Sequence, residues 1–259
     1  MQAGQSESPS RWTLQIVYLQ RRWRVLFANA QRDVRSSEVA QIVFCALIGA
    51  VVGAITNYLH LFVDLSHKLI FNLPKHVTLS MGTDTDHWRL VFVPAIGGLI
   101  LGVGAWIVHR YRATEIVDPV EANALFGGRM SLTDSIRLTL MTVVSNASGA
   151  SLGMEAGYSQ FGAALFSRFG REFRLRREDQ RIFVTAGAAA AIAAAFNAPL
   201  AGAFYGFELI LGSYMPRALA PVAVASVCAT LMQRTLNRPQ PLFEMSGPML
   251  IDTRSYGLF

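Results

Sequence analysis

Apolar residues along this chain come in long runs separated by short, mostly basic clusters. The first run covers residues 39–71, and the small residues Gly49, Ala50, Gly53 and Ala54 within it suit close helix packing. About 20 residues cross a bilayer, so this run predicts a long, tilted membrane helix. His60, Asp64 and His67 fall towards its far end, near the other interface. A second run, residues 90–108, contains Gly97, Gly98, Gly102 and Gly104 and ends in His109, Arg110 and Arg112. The stretch between them, residues 72–87, holds Pro74, Asp84 and Asp86 with little positive charge, as an external loop would.

The pattern changes from residue 130. Residues 131–144 are moderately apolar, with Asp134 and Arg137 near their start. A glycine- and serine-rich break follows at 145–157, then a short apolar piece at 158–169. Neither piece makes a full span, and short, glycine-interrupted apolar segments point to a transporter's binding site. Residues 168–181 carry six arginines. Residues 182–211 are alanine-rich and broken by Asn197 and Pro199, and residues 214–236 form the last clear span. Beyond Pro239 and Pro241 the chain is polar through Arg254, and its last apolar residues read as an unfinished element, so a truncated chain is expected.

Composition agrees with lipid as the solvent. The chain is 52% hydrophobic and 15% charged, with a mean hydropathy of +0.35, where soluble domains carry about 25% charged residues. The net charge of +6 argues against nucleic acid as a partner, because the cations sit between apolar runs as the positive-inside rule expects. They predict that residues 21–35, 109–112 and 168–181 lie on the cytoplasmic side. Within the first of these, Arg21, Arg22, Arg24, Arg32 and Arg35 interleave with Trp23, Val25, Leu26 and Phe27, the signature of an interfacial amphipathic helix. The first ten residues show no signal peptide. Cys45 and Cys228 lie in apolar runs and read as buried thiols, and no metal or cofactor is expected.

Chemistry concentrates in Ser148-Gly149-Ala150-Ser151-Leu152-Gly153-Met154-Glu155-Ala156-Gly157. Glu155 is the only acid between Asp134 and Glu172, and a carboxylate there needs a cavity or a protein interior rather than lipid. The glycines let backbone approach an ion, and amides at a helix start favour anions. A carboxylate among such amides can imitate the anion, and protonation would release it. The alternative is a helix-capping glutamate at an interface. An intramembrane serine hydrolase built on Ser148 or Ser151 fits poorly, because a nucleophile needs a base and all five histidines precede both serines.

The segment 148–157 resembles the Gly-Arg-Glu-Gly-Pro segment of the CLC chloride channels and chloride/proton transporters, whose glutamate is the external gate. Gly153 and Glu155 match, while Met154 replaces arginine, Ala156 glycine and Gly157 proline. Ala186-Gly187 through Ala195-Phe196-Asn197-Ala198-Pro199-Leu200-Ala201-Gly202 closely resembles a second family run, followed as in the family by Glu208. The resemblance covers residues 39 to the end. It implies an all-α integral membrane protein of tilted, broken helices, one of the family's two inverted repeats, with a cytoplasmic segment at 1–37 and the membrane domain at 38–259. It also implies Glu155 as gate, Gly153, Met154, Ala156, Gly157 and Ile116 around the anion, chloride or another small anion as cargo in the cell membrane, and a homodimer in the complete protein. Two departures stand out. Aligned on the proline of the family's Gly-Ser-Gly-Ile-Pro element, residues 115–119 put Ile116 at the serine position and Asp118 beside the anion path. Leu209 stands where proton-coupled members carry a second acid, which favours a channel or uncoupled carrier over an antiporter. A chain lacking the second repeat could also be a product without transport activity.

Overall fold

The computed structural model describes residues 22, 31–72, 86–111, 116–150 and 153–236. The regular elements among the described residues are all helices, with no strand among them. The elements are α1 (Glu38–Phe71), α2 (His87–Tyr111), α3 (Pro119–Ala124), α4 (Leu132–Ala147), α5 (Glu155–Glu172), α6 (Arg177–Phe196), α7 (Pro199–Tyr205) with a continuing π-helical turn (Gly206–Leu211), and α8 (Pro216–Leu236). Residues 31–36 are also helical. Most of the expected amphipathic helix at 21–35 and most of the loop at 72–87 lie outside the described residues, as does everything after residue 236.

Among the described residues, α1, α2 and α8 are long and apolar enough to cross a membrane. Helix α1 has 34 residues, about 51 Å at the usual rise, well beyond a hydrocarbon core of about 30 Å. Ser37 begins it, its side chain accepting the Ala40 N–H at 3.3 Å, and Asn72 ends it in the left-handed region at φ 53°. Glu38 in its first turn and Lys68 in its last complement the helix dipole.

The burial pattern is that of a molecule made for lipid. On α1 the exposed face carries Val39, Val43, Leu47, Val51, Phe62, Leu65 and Leu69. The buried face instead holds Cys45, Gly49, Val52, Gly53 and Thr56. In water the large apolar residues would turn inward, whereas lipid rewards small residues between helices. Gly49 and Gly53 meet Ala225 and Ala229 of α8, a four-residue spacing on each side. A methyl group on Gly49 would come 2.6 Å from the Ala225 carbonyl oxygen, and one on Gly53 would strike the backbone of Ala229. Helix α2 exposes Leu99, Val103 and Trp106, and its close approach to the rest is Gly97 against Ser148.

At the centre lies α6, buried on every side from Ile182 to Ala194 and enclosed by α1, α5, α7 and α8. Gly162 of α5 and Gly187 of α6 pack backbone to backbone. Helix α6 stops at Asn197, which takes φ 54° while the Ala198 N–H returns to the Ala193 carbonyl at 3.0 Å. Pro199 then opens α7, where its fixed φ and missing N–H cost nothing. The Asn-Ala-Pro sequence is therefore a helix stop followed by a helix start. The Asn197 side-chain oxygen also accepts the Arg234 Nε–H from α8 at 2.6 Å.

The six arginines of residues 168–181 do not form a loop. Arg168 and Arg171 close α5, Arg177 and Arg181 open α6, and Arg174 and Arg176 lie in the turn between. Residues 31–36 dock at this same end, where the Gln31 side-chain N–H donates to the Glu172 carbonyl at 2.6 Å. Phe44 of α1 adds ring contacts to Phe169 and Phe173 there. The fold thereby gathers two of the basic clusters seen in the sequence at one end.

Candidate anion site and its gate

The expected break falls between α4 and α5. Helix α4 ends at Ala147, and Gly149 at φ 87° turns the chain away while the Ala150 N–H bonds the Ser145 carbonyl at 3.2 Å. The closure needs a residue tolerant of positive φ, which explains the glycine. His67 of α1 contacts the Asn146 carbonyl at 2.7 Å, holding α1 against the end of α4.

Helix α5 begins with Glu155 itself. No side chain caps its first turn, so amides there face outward without an intrahelical acceptor. The Glu155 side chain is exposed and makes no hydrogen bond or ion pair among the described residues. Its carboxylate folds back over Gly153, occupying the space a methyl group there would take. A close approach of this carboxylate to the amides of the break is expected; it rests on Gly153, no described amide donates to it, and Ser151 and Leu152 of the break lie outside the described residues. Met154 precedes the helix, and its sulfur accepts the Tyr158 hydroxyl at 3.2 Å. Tyr158 in turn stacks on His60 of α1, with ring centroids 4.8 Å apart. Ala156 is exposed, while Gly157 is buried with its carbonyl accepting the Thr139 hydroxyl at 3.0 Å.

Ile116 is half-buried in the extended stretch before α3. Asp118 does not aim its charge freely into a path, because its carboxylate caps α3 by accepting the Glu121 N–H at 2.7 Å. Leu209 lies in the π-helical turn with its side chain exposed. Its neighbour Glu208 accepts the Tyr214 hydroxyl at 2.6 Å.

Two side chains that sequence reasoning missed tie these pieces together. Gln160 is buried, and its amide donates to the Val117 carbonyl at 2.9 Å and to the Ser135 hydroxyl at 3.1 Å. It links the Ile116 stretch, α4 and the second turn of α5. Asn123 of α3 donates to the Thr185 hydroxyl at 2.9 Å and the Ile210 carbonyl at 3.1 Å, joining α3 to α6 and to the turn bearing Leu209. A polar side chain in an apolar neighbourhood was the available signal for both, but their partners lie 25 to 87 residues away.

Comparison with known proteins places this geometry in a family. The chain is 28% identical over 203 residues to the voltage-gated ClC-type chloride channel ClcB of Yersinia pseudotuberculosis serotype O:1b, covering 77% of this chain and 49% of that protein. It is 32% identical over 156 residues to ClcB of Salmonella typhi, covering 58% and 36%. It is 28% identical over 224 residues to ClcB of Escherichia coli O139:H28, covering 82% and 52%. The fold is similar to the crystal structure of a slow cyanobacterial Cl-/H+ antiporter, with a TM-score of 0.59 and 22% identity over 77% of this chain and 47% of that one. The chain thus spans about half the length, or less, of the curated relatives it matches. The voltage gated chloride channel family model matches residues 97–259, from the glycines of α2 through both helix breaks, and the chain belongs to that family.

Proposed function

We propose that this chain contributes the N-terminal half of a CLC-type pathway for chloride across the cell membrane, gated by Glu155. The observation that carries the reading is a carboxylate at the first residue of α5 that has no hydrogen-bond or ion-pair partner among the described residues, beside an uncapped helix start. Such a helix start stabilises anions. An unpaired carboxylate within reach of the same ground competes with a halide when charged and yields when protonated. Gly153, Met154, Ala156 and Gly157 would shape the outer part of the path, and Ile116 the inner part. Without a hydroxyl at Ile116, the inner part would hold its anion through backbone amides.

Leu209 supports transport without stoichiometric proton exchange, since an apolar side chain relays no proton. Glu208 beside it is engaged by Tyr214. The test uses liposomes bearing the protein, with a chloride electrode and a pH electrode in the same bath. Chloride efflux without proportional proton counterflow is expected, and a fixed proton-to-chloride ratio would reject the uncoupled reading. Glu155→Gln, which mimics the protonated gate, is expected to abolish the pH dependence of flux. An unchanged pH profile would return Glu155 to the role of a helix-start glutamate. Loss of all anion flux in wild-type liposomes would favour the second reading, a chain that needs further protein to complete its path.

A further inference from the structure

The end of the molecule remote from Glu155 holds a cavity of about 720 Å³ between α3, α5 and α6. Arg129, Arg171, Arg174 and Arg177 line it, with Leu125 and Phe126 at its side. The 18 residues of α5 separate it from Glu155 by about 27 Å, so it is not part of the gate.

Like charges gathered at one place repel and call for an anion. Among the described residues, none of these four guanidiniums forms an ion pair, whereas the nearby Arg168 is engaged by Glu172 at 2.6 Å. Burial first, then the charges of Arg168 and Arg129, hold the Arg171 guanidinium below the usual arginine range.

The backbone holds two of the four in place. Arg174 adopts φ 52° at the end of α5, with the Leu175 N–H closing on the Gly170 carbonyl at 3.0 Å. That position ordinarily takes glycine, and a side chain there is strained. Gly127, at φ 60°, lies under Arg177, whose Nε would be 2.6 Å from a methyl group added to it. The floor is fixed by buried Gln180, whose amide donates to the Gly128 and Ser167 carbonyls, each at 3.0 Å.

We propose that this cavity binds a phosphate-bearing anion through Arg129, Arg171, Arg174 and Arg177. The planar guanidinium forks match phosphate oxygens in pairs. The space greatly exceeds one halide ion. Leu125 and Phe126 are 65% and 48% exposed beside the arginines, an apolar flank suited to the acyl chain of a phospholipid. Basic pockets between membrane helices commonly take such headgroups. A free phosphate offers the same oxygens without the chain.

The purified protein in neutral detergent is titrated with fluorescent phosphatidic acid, and with phosphatidylcholine of the same chains. Saturable binding of phosphatidic acid is expected, with phosphatidylcholine at least tenfold weaker. Removing both Arg171 and Arg174, as Arg171→Gln with Arg174→Gly, should weaken binding about 25-fold, from roughly fivefold per arginine. Arg174→Gly relieves the left-handed strain, so that variant remains folded. Arg168→Gln removes a charge outside the cavity and should change affinity less than twofold. Inorganic phosphate is the competitor: displacement of the probe at millimolar concentration identifies free phosphate as a ligand of the site, and no displacement identifies the lipid. Either result supports the phosphate site. Equal affinity for phosphatidylcholine would overturn it. So would wild-type affinity in the double variant, or an equal loss in Arg168→Gln, which would leave only net charge.

Discussion

Gly153 and Glu155 share one small space, and that sharing makes the proposed gate open to testing without disturbing the fold. A methyl group at Gly153 meets the end of a flexible side chain and not backbone, so Gly153→Ala should displace the Glu155 carboxylate and leave α5 in place. We expect unfolding stability within about 0.5 kcal/mol of wild type and a shifted pH profile of anion flux. Normal stability with an unmoved profile would mean that the resting place of the carboxylate is immaterial to gating. Arg174 gives the complementary case. Its left-handed backbone suits glycine, so Arg174→Gly should stabilise the protein by about 1 kcal/mol, measured as a higher unfolding midpoint. At this scale the sequence was informative about isolated charges and silent about tethers. Glu155 stood out because its surroundings are apolar. Gln160 and Asn123 did not, because an amide in an apolar run announces a need for partners without naming them. Asp118 was read as a charge near the path, whereas its neighbour Pro119 starts a helix and turns the carboxylate into a cap.

Helix packing here rests on the absence of side chains at a few contacts. Gly53→Ala would push a methyl group into the backbone of Ala229, and Gly162→Ala into that of Gly187. Neither helix pair can yield by rotating a side chain, so each should cost about 1–3 kcal/mol. Gly98, on α2, meets nothing within 4 Å, and Gly98→Ala should gain up to about 1 kcal/mol of helix propensity. Thermal unfolding of the three variants in one detergent checks the ordering; a Gly53 variant as stable as the Gly98 variant would refute close α1–α8 packing. The long helices were legible because runs of apolar residues exceed a bilayer's thickness. The ends of α4 and α6 and the start of α7 were legible because Gly149, Asn197 and Pro199 break or start helices for known steric reasons. The extension of α5 and α6 through the arginine cluster was not legible, since arginine is a good helix former and charge alone carries no information about where a helix ends. The π-helical turn at 206–211 gave no signal either.

Over the whole molecule, the basic clusters at residues 31–36 and 168–181 meet at one end although more than 130 positions separate them in the sequence. From the positive-inside rule we propose that this end faces the cytoplasm. With Cys228 replaced by serine, Glu178→Cys should react with a membrane-impermeant thiol reagent only from the cytoplasmic side, and Asp86→Cys only from outside. Labelling of position 178 from outside would invert the topology.

The burial of α6 from Ile182 to Ala194 also bears on how the protein enters its bilayer. A ribosome delivers helices to the translocon one after another, and each is judged there by its own affinity for lipid. Alanine offers little of that affinity, and α6 opens with Arg177, Glu178, Asp179 and Arg181. Helices α5 and α6 have 18 and 20 residues, but unlike α1, α2 and α8 neither is apolar enough to cross a membrane by itself. The pair that meets at Gly162 and Gly187 is therefore expected to partition together as a hairpin, packed against α1 and later against α8. A polar substitution on the lipid face of α8 would then be felt first as a failure of α6 to stay in the membrane during synthesis.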